Sequence, residues 1–100
     1  MAAYIIAQIN IADRETYSKY EARFMDAFTR FGGRLLSVDE NVHVLEGDWS
    51  YTRTVLAEFP SKPAALEWYD CHEYQALAAF RHAASVSNVV LLDAFAANPG

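Results

Sequence analysis

The chain has 100 residues, of which 53% are hydrophobic and 14% aromatic, and its formal net charge is -5. This length predicts one domain, residues 1–100, with a single core, and the apolar content excludes a disordered chain. Only 8 lysines and arginines stand against 13 acidic residues. Phosphate binding requires a concentrated basic surface, so we expect no nucleic-acid partner.

A membrane partner is not expected either. No apolar run approaches the ~20 residues that a membrane-spanning helix requires, and Met1 leads into a predicted strand without the basic segment or cleavage pattern of a secretory signal. The single cysteine, Cys71, cannot form an internal disulfide, which is typical of a reducing compartment. These features predict a cytoplasmic protein.

The chain begins with a strand and a helix. Residues 4–11 are rich in isoleucine and alternate, so that one strand face is apolar and the other carries Gln8 and Asn10. Asp13 is the predicted N-cap of a helix over residues 14–31, whose apolar side chains recur every three or four positions. Glycines 32 and 33 end this helix, because glycine accepts a positive φ at little cost.

Three extended segments follow the first helix. Residues 34–38 and 42–46 flank the turn-prone sequence Asp-Glu-Asn and predict a hairpin. Residues 53–59, RTVLAEF, predict a further strand that Pro60 ends, because proline has no N–H for a ladder.

The second half of the chain predicts a broken helix and a closing strand. Ser61 is the predicted N-cap of a helix over residues 62–84, interrupted near residues 70–73, where Asp70 and Glu73 have the spacing of a capping-box variant. Residues 86–95 predict the last strand and residues 96–100 a frayed tail.

This order of elements predicts a ferredoxin-like α+β sandwich, an antiparallel sheet with both helices on one face. The other sheet face then carries apolar residues such as Ile6 and Leu56, which a single chain would leave exposed. We therefore expect a homodimer in which two sheets pair face to face.

Five motifs carry a resemblance to a known family: YIIAQINIAD, GGR, VLEGDW, EFPS and WYDCHEYQAL. With them, residues 4–93 resemble the domain-of-unknown-function 1330 family (DUF1330) of the dimeric α/β barrel superfamily. That superfamily includes cofactor-free monooxygenases, haem-degrading enzymes, isomerases and dehydratases, so the resemblance implies a cleft between sheet and helices without naming a reaction. The chain departs from the family at Cys71 and His72, where small residues such as serine and proline are more usual.

Glu58 is the leading candidate for catalysis, because it is a carboxylate between apolar neighbours in a predicted strand. It would act as a general acid or base whose pKa burial raises, or form a structural ion pair with Arg34 or Arg81. Strand parity puts Glu58 on the face of Leu56, away from the helices. Arg81 lies in the apolar stripe of the last helix, where it would bind an anionic substrate or extend its stem to solvent.

The candidate pocket residues have two interpretations. Gln8 and Asn10 would orient a ligand inside the barrel or bond to neighbouring strands. The aromatic side chains would line a pocket or fill the core; they are Tyr17, Tyr20, Trp68, Tyr69 and Tyr74. The histidines and Cys71 lack metal-ligand spacing, so we expect no metal and no cofactor.

Two functional classes remain open. One is a cofactor-free enzyme of the monooxygenase or isomerase type, with Glu58, Arg34, Arg81 and Asn10 around an aromatic-lined cleft. The other is a noncatalytic small-molecule-binding or interaction module in which the same residues satisfy the barrel interior. A solvent-connected cavity holding an unpaired Glu58 favours the enzyme, and a filled cavity with a closed Glu to Arg pair favours the module.

Overall fold

A computed structural model describes residues 1–95 of the chain, and the predicted tail lies outside these residues. Seven elements are present: β1 (Ala3–Ile11), α1 (Arg14–Arg30), β2 (Arg34–Asp39), β3 (Arg53–Phe59), α2 (Lys62–Asp70), α3 (His72–Ala84) and β4 (Ser85–Asp93). The strands form one sheet in the order β2-β3-β1-β4, and all neighbours are antiparallel. The predicted ferredoxin-like α+β fold is confirmed.

The predicted helix limits follow from local capping. The Asp13 carboxylate accepts a hydrogen bond from the Thr16 backbone N–H at 3.2 Å, and Ser61 Oγ accepts one from Ala64 at the same distance. Gly32 has a φ of 86°, and the next N–H, that of Gly33, donates back to the Phe28 carbonyl at 2.8 Å. Side-chain acceptors thus satisfy the first N–H groups of α1 and α2, and glycine reverses the chain after α1.

The break between α2 and α3 is present, but its capping residue differs from the prediction. Cys71, in extended conformation, is the N-cap of α3, and its Sγ accepts a hydrogen bond from the Tyr74 backbone N–H at 3.4 Å. Asp70 is instead the last residue of α2. Cys71 and His72 therefore form this junction, and a thiol accepts the capping hydrogen bond that a serine hydroxyl more commonly accepts.

The predicted hairpin is wrong in its second strand. Residues 42–46 form no strand, and β2 pairs directly with β3, with Leu35 opposite Ala57 and Val38 opposite Val55. The Asp39 side chain accepts a hydrogen bond from the Asn41 N–H at 2.7 Å, which turns the chain out of the sheet. Pairing with β3 brings Leu35 beside Val55 against the core under the helices.

Strand register divides the sheet into two faces. Ile5, Ala57 and Leu91 are aligned across β1, β3 and β4 and point toward the helices. The opposite side, called the open face here, carries the alternate side chains: Tyr4, Ile6, Gln8, Asn10, Arg34, Ser37, Thr54, Leu56, Glu58, Val86, Asn88, Val90 and Leu92. The parity predicted for β3 is confirmed, since Leu56 and Glu58 lie on the open face.

The core is an aromatic cluster between the sheet and the helices. Phe28 and Phe59 are fully buried, and Trp68 packs on both with ring-centroid distances of 5.6 Å and 5.2 Å. The stripe predicted on α1 supplies Tyr17, Tyr20 and Ala27, all buried. No helix formed by residues 1–95 combines the length and apolar character that crossing a membrane requires.

Candidate functional site

A cavity of about 170 Å³ lies between the sheet and the helix layer. Its floor is the apolar side of β1 and β3, and its roof is formed by α1, α2 and α3. Met25 and Val38 also line the cavity and are exposed, so its opening lies between α1 and the β2 edge of the sheet. The apolar lining residues are Ile5, Ala7, Ile9, Phe24, Phe28, Leu35, Val55, Ala57 and Val89.

Three polar side chains, those of Tyr20, Tyr74 and Arg81, lie at the inner end of the cavity. The hydroxyls of Tyr20 and Tyr74 are 2.8 Å apart and hydrogen-bonded, and both side chains are buried. Arg81 is 4% exposed and lines the same cavity, with its guanidinium carbon 5.7 Å from the Tyr20 ring centroid. Arg81 Nη1 donates to Ser87 Oγ. An apolar chamber with a few convergent polar groups is the usual form of a small-molecule site.

Trp68 contributes an unused hydrogen-bond donor. Its ring lines the cavity, and its buried Nε1 has no hydrogen-bond partner among residues 1–95. An unsatisfied buried donor costs about 1–3 kcal/mol. A water molecule or ligand atom that accepts this hydrogen bond would recover part of that cost.

Arg53 forms one side of the cavity opening. Its guanidinium contacts Glu21 at 3.1 Å and Glu40 at 3.0 Å, and Glu40 also accepts a hydrogen bond from Arg14 at 3.0 Å. The bonds from Arg14 and then Arg53 lower the pKa of Glu40 below its usual value. The side chains at the opening therefore form one ion-pair network, in which two arginines balance two glutamates.

The predicted site residues divide between two faces of the sheet. Tyr17, Trp68, Tyr74 and Arg81 line the cavity. The other candidates do not: Gln8, Asn10, Arg34 and Glu58 lie on the open face, and Tyr69 packs outside the cavity against the Tyr74 ring, at a centroid distance of 5.6 Å. The cluster of Glu58, Arg34, Arg81 and Asn10 suggested by the sequence is thus not assembled within one chain.

Glu58 forms an ion pair with Arg34 on the open face. Its side chain is 23% exposed and that of Arg34 is 71% exposed, so the pair contributes at most about 1 kcal/mol in a single chain. Asn10 accepts a hydrogen bond from the N–H of Thr52, the residue before β3, at 3.2 Å. A catalytic role for Glu58 stays a prediction.

Sequence reasoning missed Arg53 as a site residue and left Tyr20 open between pocket lining and core. The signal for Arg53 was strand parity, because it shares the alternation of Val55, Ala57 and Phe59 and must therefore point toward the helices. No pattern distinguished Tyr20 from the other aromatic residues of α1. Residues 1–95 bring no three histidine, cysteine, aspartate or glutamate side chains together as metal ligands.

We expect stability to fall as the pH rises above about 10, the pKa of an unperturbed tyrosine. Burial raises the pKa of Tyr20 well above that value, and burial also raises the pKa of Tyr17. The unfolded chain releases these protons while the folded chain keeps them, so alkaline pH favours unfolding. At neutral pH the Tyr20→Phe variant should melt at a lower temperature than the natural protein, because it lacks the hydrogen bond to Tyr74. Between neutral and alkaline pH the variant should lose less stability than the natural protein does. Thermal melts by circular dichroism would show this, and parallel pH profiles for the two proteins would contradict it.

Comparisons with known proteins identify a family and a fold. The model of the family described as "Domain of unknown function (DUF1330)" matches residues 2–95. No curated protein is significantly similar in sequence. A protein of unknown function from Rhodopseudomonas palustris has a similar structure, with a TM-score of 0.80 and 20% identity, covering 94% of this chain and 82% of that one.

Two further solved structures have the same fold. SnoaB, a cofactor-independent oxygenase from Streptomyces nogalater, matches with a TM-score of 0.68 and 16% identity over 99% of this chain and 98% of its own. A dimeric ferredoxin-like protein of unknown function from Jannaschia sp. CCS1 matches with a TM-score of 0.71 and 13% identity over 94% of this chain and 100% of its own. At these identities the similarity establishes the fold and leaves the chemistry open.

Proposed function

Since the chain belongs to the DUF1330 family, whose description assigns no activity, we propose its function from its own cavity: the protein binds a small organic molecule between its sheet and its helices. The observation that carries this proposal is the chamber of about 170 Å³, apolar and aromatic in its walls, with Arg81 and the Tyr20 to Tyr74 pair at its inner end. A cavity of about 150 Å³ is large enough to bind benzene in an engineered protein. The ligand is therefore about the size of one ring.

Binding without catalysis is the better supported of the two functional classes. The leading candidate for general acid or base, Glu58, is paired with Arg34 and lies across the sheet from the cavity. The carboxylate that does line the cavity, Glu21, is held in an ion pair by Arg53. No free carboxylate of the described residues is thus positioned to move a proton inside the chamber.

A cofactor-free reaction of the monooxygenase or isomerase type is the second proposal. It is supported by the fold shared with SnoaB over nearly the whole of both chains. The two proposals differ in what becomes of the ligand. A compound bound at the cavity and recovered unchanged after incubation, as judged by mass spectrometry, supports the binding module, and a changed mass supports an enzyme.

We further propose that two copies pair through the open face of the sheet. Val86 is 76% exposed, Val90 50% and Leu92 44% in a single chain, and together with Ile6 and Leu56 they form an apolar patch. Proteins of the same fold from Jannaschia sp. CCS1 and Bacteroides fragilis are described as dimeric.

A cytoplasmic location remains part of the proposal, on the evidence of the single unpaired cysteine.

A thermal-shift screen with single-ring compounds tests the binding function. A ligand at one hundred times its dissociation constant stabilises the folded state by about 2.7 kcal/mol, which raises the melting temperature of a domain of this size by about 10 °C or more. Ala7→Leu places three further carbon atoms in the cavity, because Ala7 lies on its floor, and should abolish the shift.

The matched control for this screen is Ala22→Leu, the same substitution at an exposed position of α1. It should leave the shift unchanged. The proposal is wrong if no compound raises the melting temperature, or if the compounds that do so act equally on the Ala7 variant.

A further inference from the structure

Arg81 differs from the other arginines of residues 1–95 in having no carboxylate partner. Arg14, Arg23, Arg30, Arg34 and Arg53 each have a carboxylate oxygen within 3.7 Å, and all five are more exposed than Arg81. Arg81, although only 4% exposed, has no described carboxylate within 4.0 Å. Arg81 is therefore the most buried of the arginines and the one arginine of the described residues without a carboxylate partner.

The groups that do contact Arg81 are neutral acceptors or ring faces. Nη1 donates to Ser87 Oγ, Nη2 lies 3.4 Å from His82 Nε2, and the guanidinium stands over the Tyr20 ring. Hydrogen bonds and a cation–π contact offset part of the desolvation of a buried charge. None of them supplies negative charge, so the guanidinium charge at the inner end of the cavity has no described counterion within 4.0 Å.

The neighbouring tyrosine pair adds a second donor to the same wall. Tyr20 and Tyr74 share one hydrogen bond, in which one hydroxyl donates and the other accepts. The accepting hydroxyl retains its own hydrogen, which is available to another acceptor. Because both tyrosines and Arg81 line the cavity, a phenolic O–H and a guanidinium are presented there together, and carboxylate oxygens accept strong hydrogen bonds from such donors.

We propose that the ligand is a compact organic monoanion, a single ring carrying a carboxylate, whose oxygens bind Arg81 and the Tyr20 to Tyr74 pair while its ring lies among the apolar walls. This inference rests on the proposed function and specifies its ligand class. The ring is required because the wall between the inner end and the opening is apolar and aromatic. At the opening, Arg53 is already paired with Glu21 and Glu40, so an inorganic anion would find a free donor only at the inner end. Because the chain has a net charge of -5, its surface as a whole repels anions. Binding of an anion would therefore not be explained by nonspecific attraction to the surface.

A pair of probes matched in shape but different in charge tests the charge requirement. Benzoate and benzamide have nearly the same shape, and only benzoate is anionic at neutral pH. The titration is followed by the fluorescence of Trp68, which lines the cavity; Trp49→Phe removes the other tryptophan of the chain. We expect benzoate to bind about 10- to 100-fold more tightly than benzamide, the range that charge-assisted hydrogen bonds give.

Variants assign that preference to Arg81. Arg81→Met keeps much of the side-chain length and removes the charge, so benzoate and benzamide should bind it equally weakly. Arg23→Met is the matched control, because Arg23 lies exposed on α1, and it should keep the full preference. Should Arg81→Met fail to fold, Tyr74→Phe removes one hydroxyl only. It should reduce the affinity for benzoate more than that for benzamide, because a carboxylate accepts a stronger hydrogen bond than a neutral amide does.

The outcomes separate this inference from the function on which it rests. Equal binding of benzoate and benzamide, or a preference that survives Arg81→Met, overturns the anionic ligand class and leaves a cavity that binds neutral rings. Failure of benzoate to bind at about 10 mM, a concentration that detects even millimolar dissociation constants, overturns the inference as well. The thermal-shift screen then decides whether the cavity binds any ligand at all.

Discussion

Replacement of Phe28 by alanine should lower the free energy of unfolding by about 3–5 kcal/mol, the range for truncation of a buried phenylalanine. Phe28 is fully buried, and its ring lies 4.7 Å from that of Phe24, 5.2 Å from that of Phe59 and 5.6 Å from that of Trp68. Three aromatic rings cannot close the space it leaves without moving a strand or a helix. Equilibrium denaturation at one fixed protein concentration would measure the change.

Gly33→Ala tests the same packing from the opposite direction. A methyl group at this position would lie 2.5 Å from Phe28 Cε1. The Phe28 ring would have to leave its packing against Phe59 and Trp68, so we expect a loss of about 1–3 kcal/mol. In a Phe28→Leu background the contact is relieved and the loss should shrink, which a double-mutant cycle detects. Strictly additive losses would show that the contact with Phe28 is not the cause.

Gly47→Ala is the control for backbone strain. Gly47 has a φ of 80°, yet no atom lies within 4 Å of the added methyl group. The loss of stability of the Gly47→Ala variant therefore measures only the conformational cost of a positive φ. That cost should not change in the Phe28→Leu background, because the two residues have no shared packing.

The sequence was most informative where a residue acts locally. Asp13, Ser61 and Gly32 fix helix limits through hydrogen bonds or φ angles within a few residues, so their identities sufficed to predict them. Alternation in β3 likewise predicted that Glu58 points away from the helices, because parity needs no knowledge of other elements. The thiol cap at Cys71 was missed because serine, threonine and aspartate are the usual caps.

Nonlocal features were harder to predict from the sequence. Residues 42–46 have the composition of a strand, but β2 pairs with β3, and pairing partners depend on which strand buries more apolar surface. The arginine in the stripe of α3 was predicted, whereas its lack of a carboxylate partner depends on where every acidic residue lies in space. The volume left between sheet and helices depends in the same way on how all the facing side chains pack.

A charged residue at the centre of the open face should dissociate the proposed homodimer. Ile6 lies in the middle of that face, opposite Leu56 on β3 and Val90 on β4. Specific dimers bury about 1,000 Å² or more in total, and an interface built on this apolar patch would place Ile6 well inside it. The two-fold symmetry of a face-to-face pair brings both copies of the substitution into one interface.

Ile6→Glu should therefore raise the dissociation constant of the dimer by at least about 100-fold, because an unpaired buried charge costs roughly 3–5 kcal/mol. Light scattering at micromolar concentration should give the mass of a dimer for the natural sequence and that of a monomer for the variant. Circular dichroism should show a folded variant, since the introduced carboxylate would face solvent in a single chain. Phe80→Glu, which charges a 40% exposed apolar residue of the helix layer, should remain dimeric. A monomeric natural protein would show that the proposed homodimer does not form. An Ile6 variant that stays dimeric would show that the two copies pair through another surface.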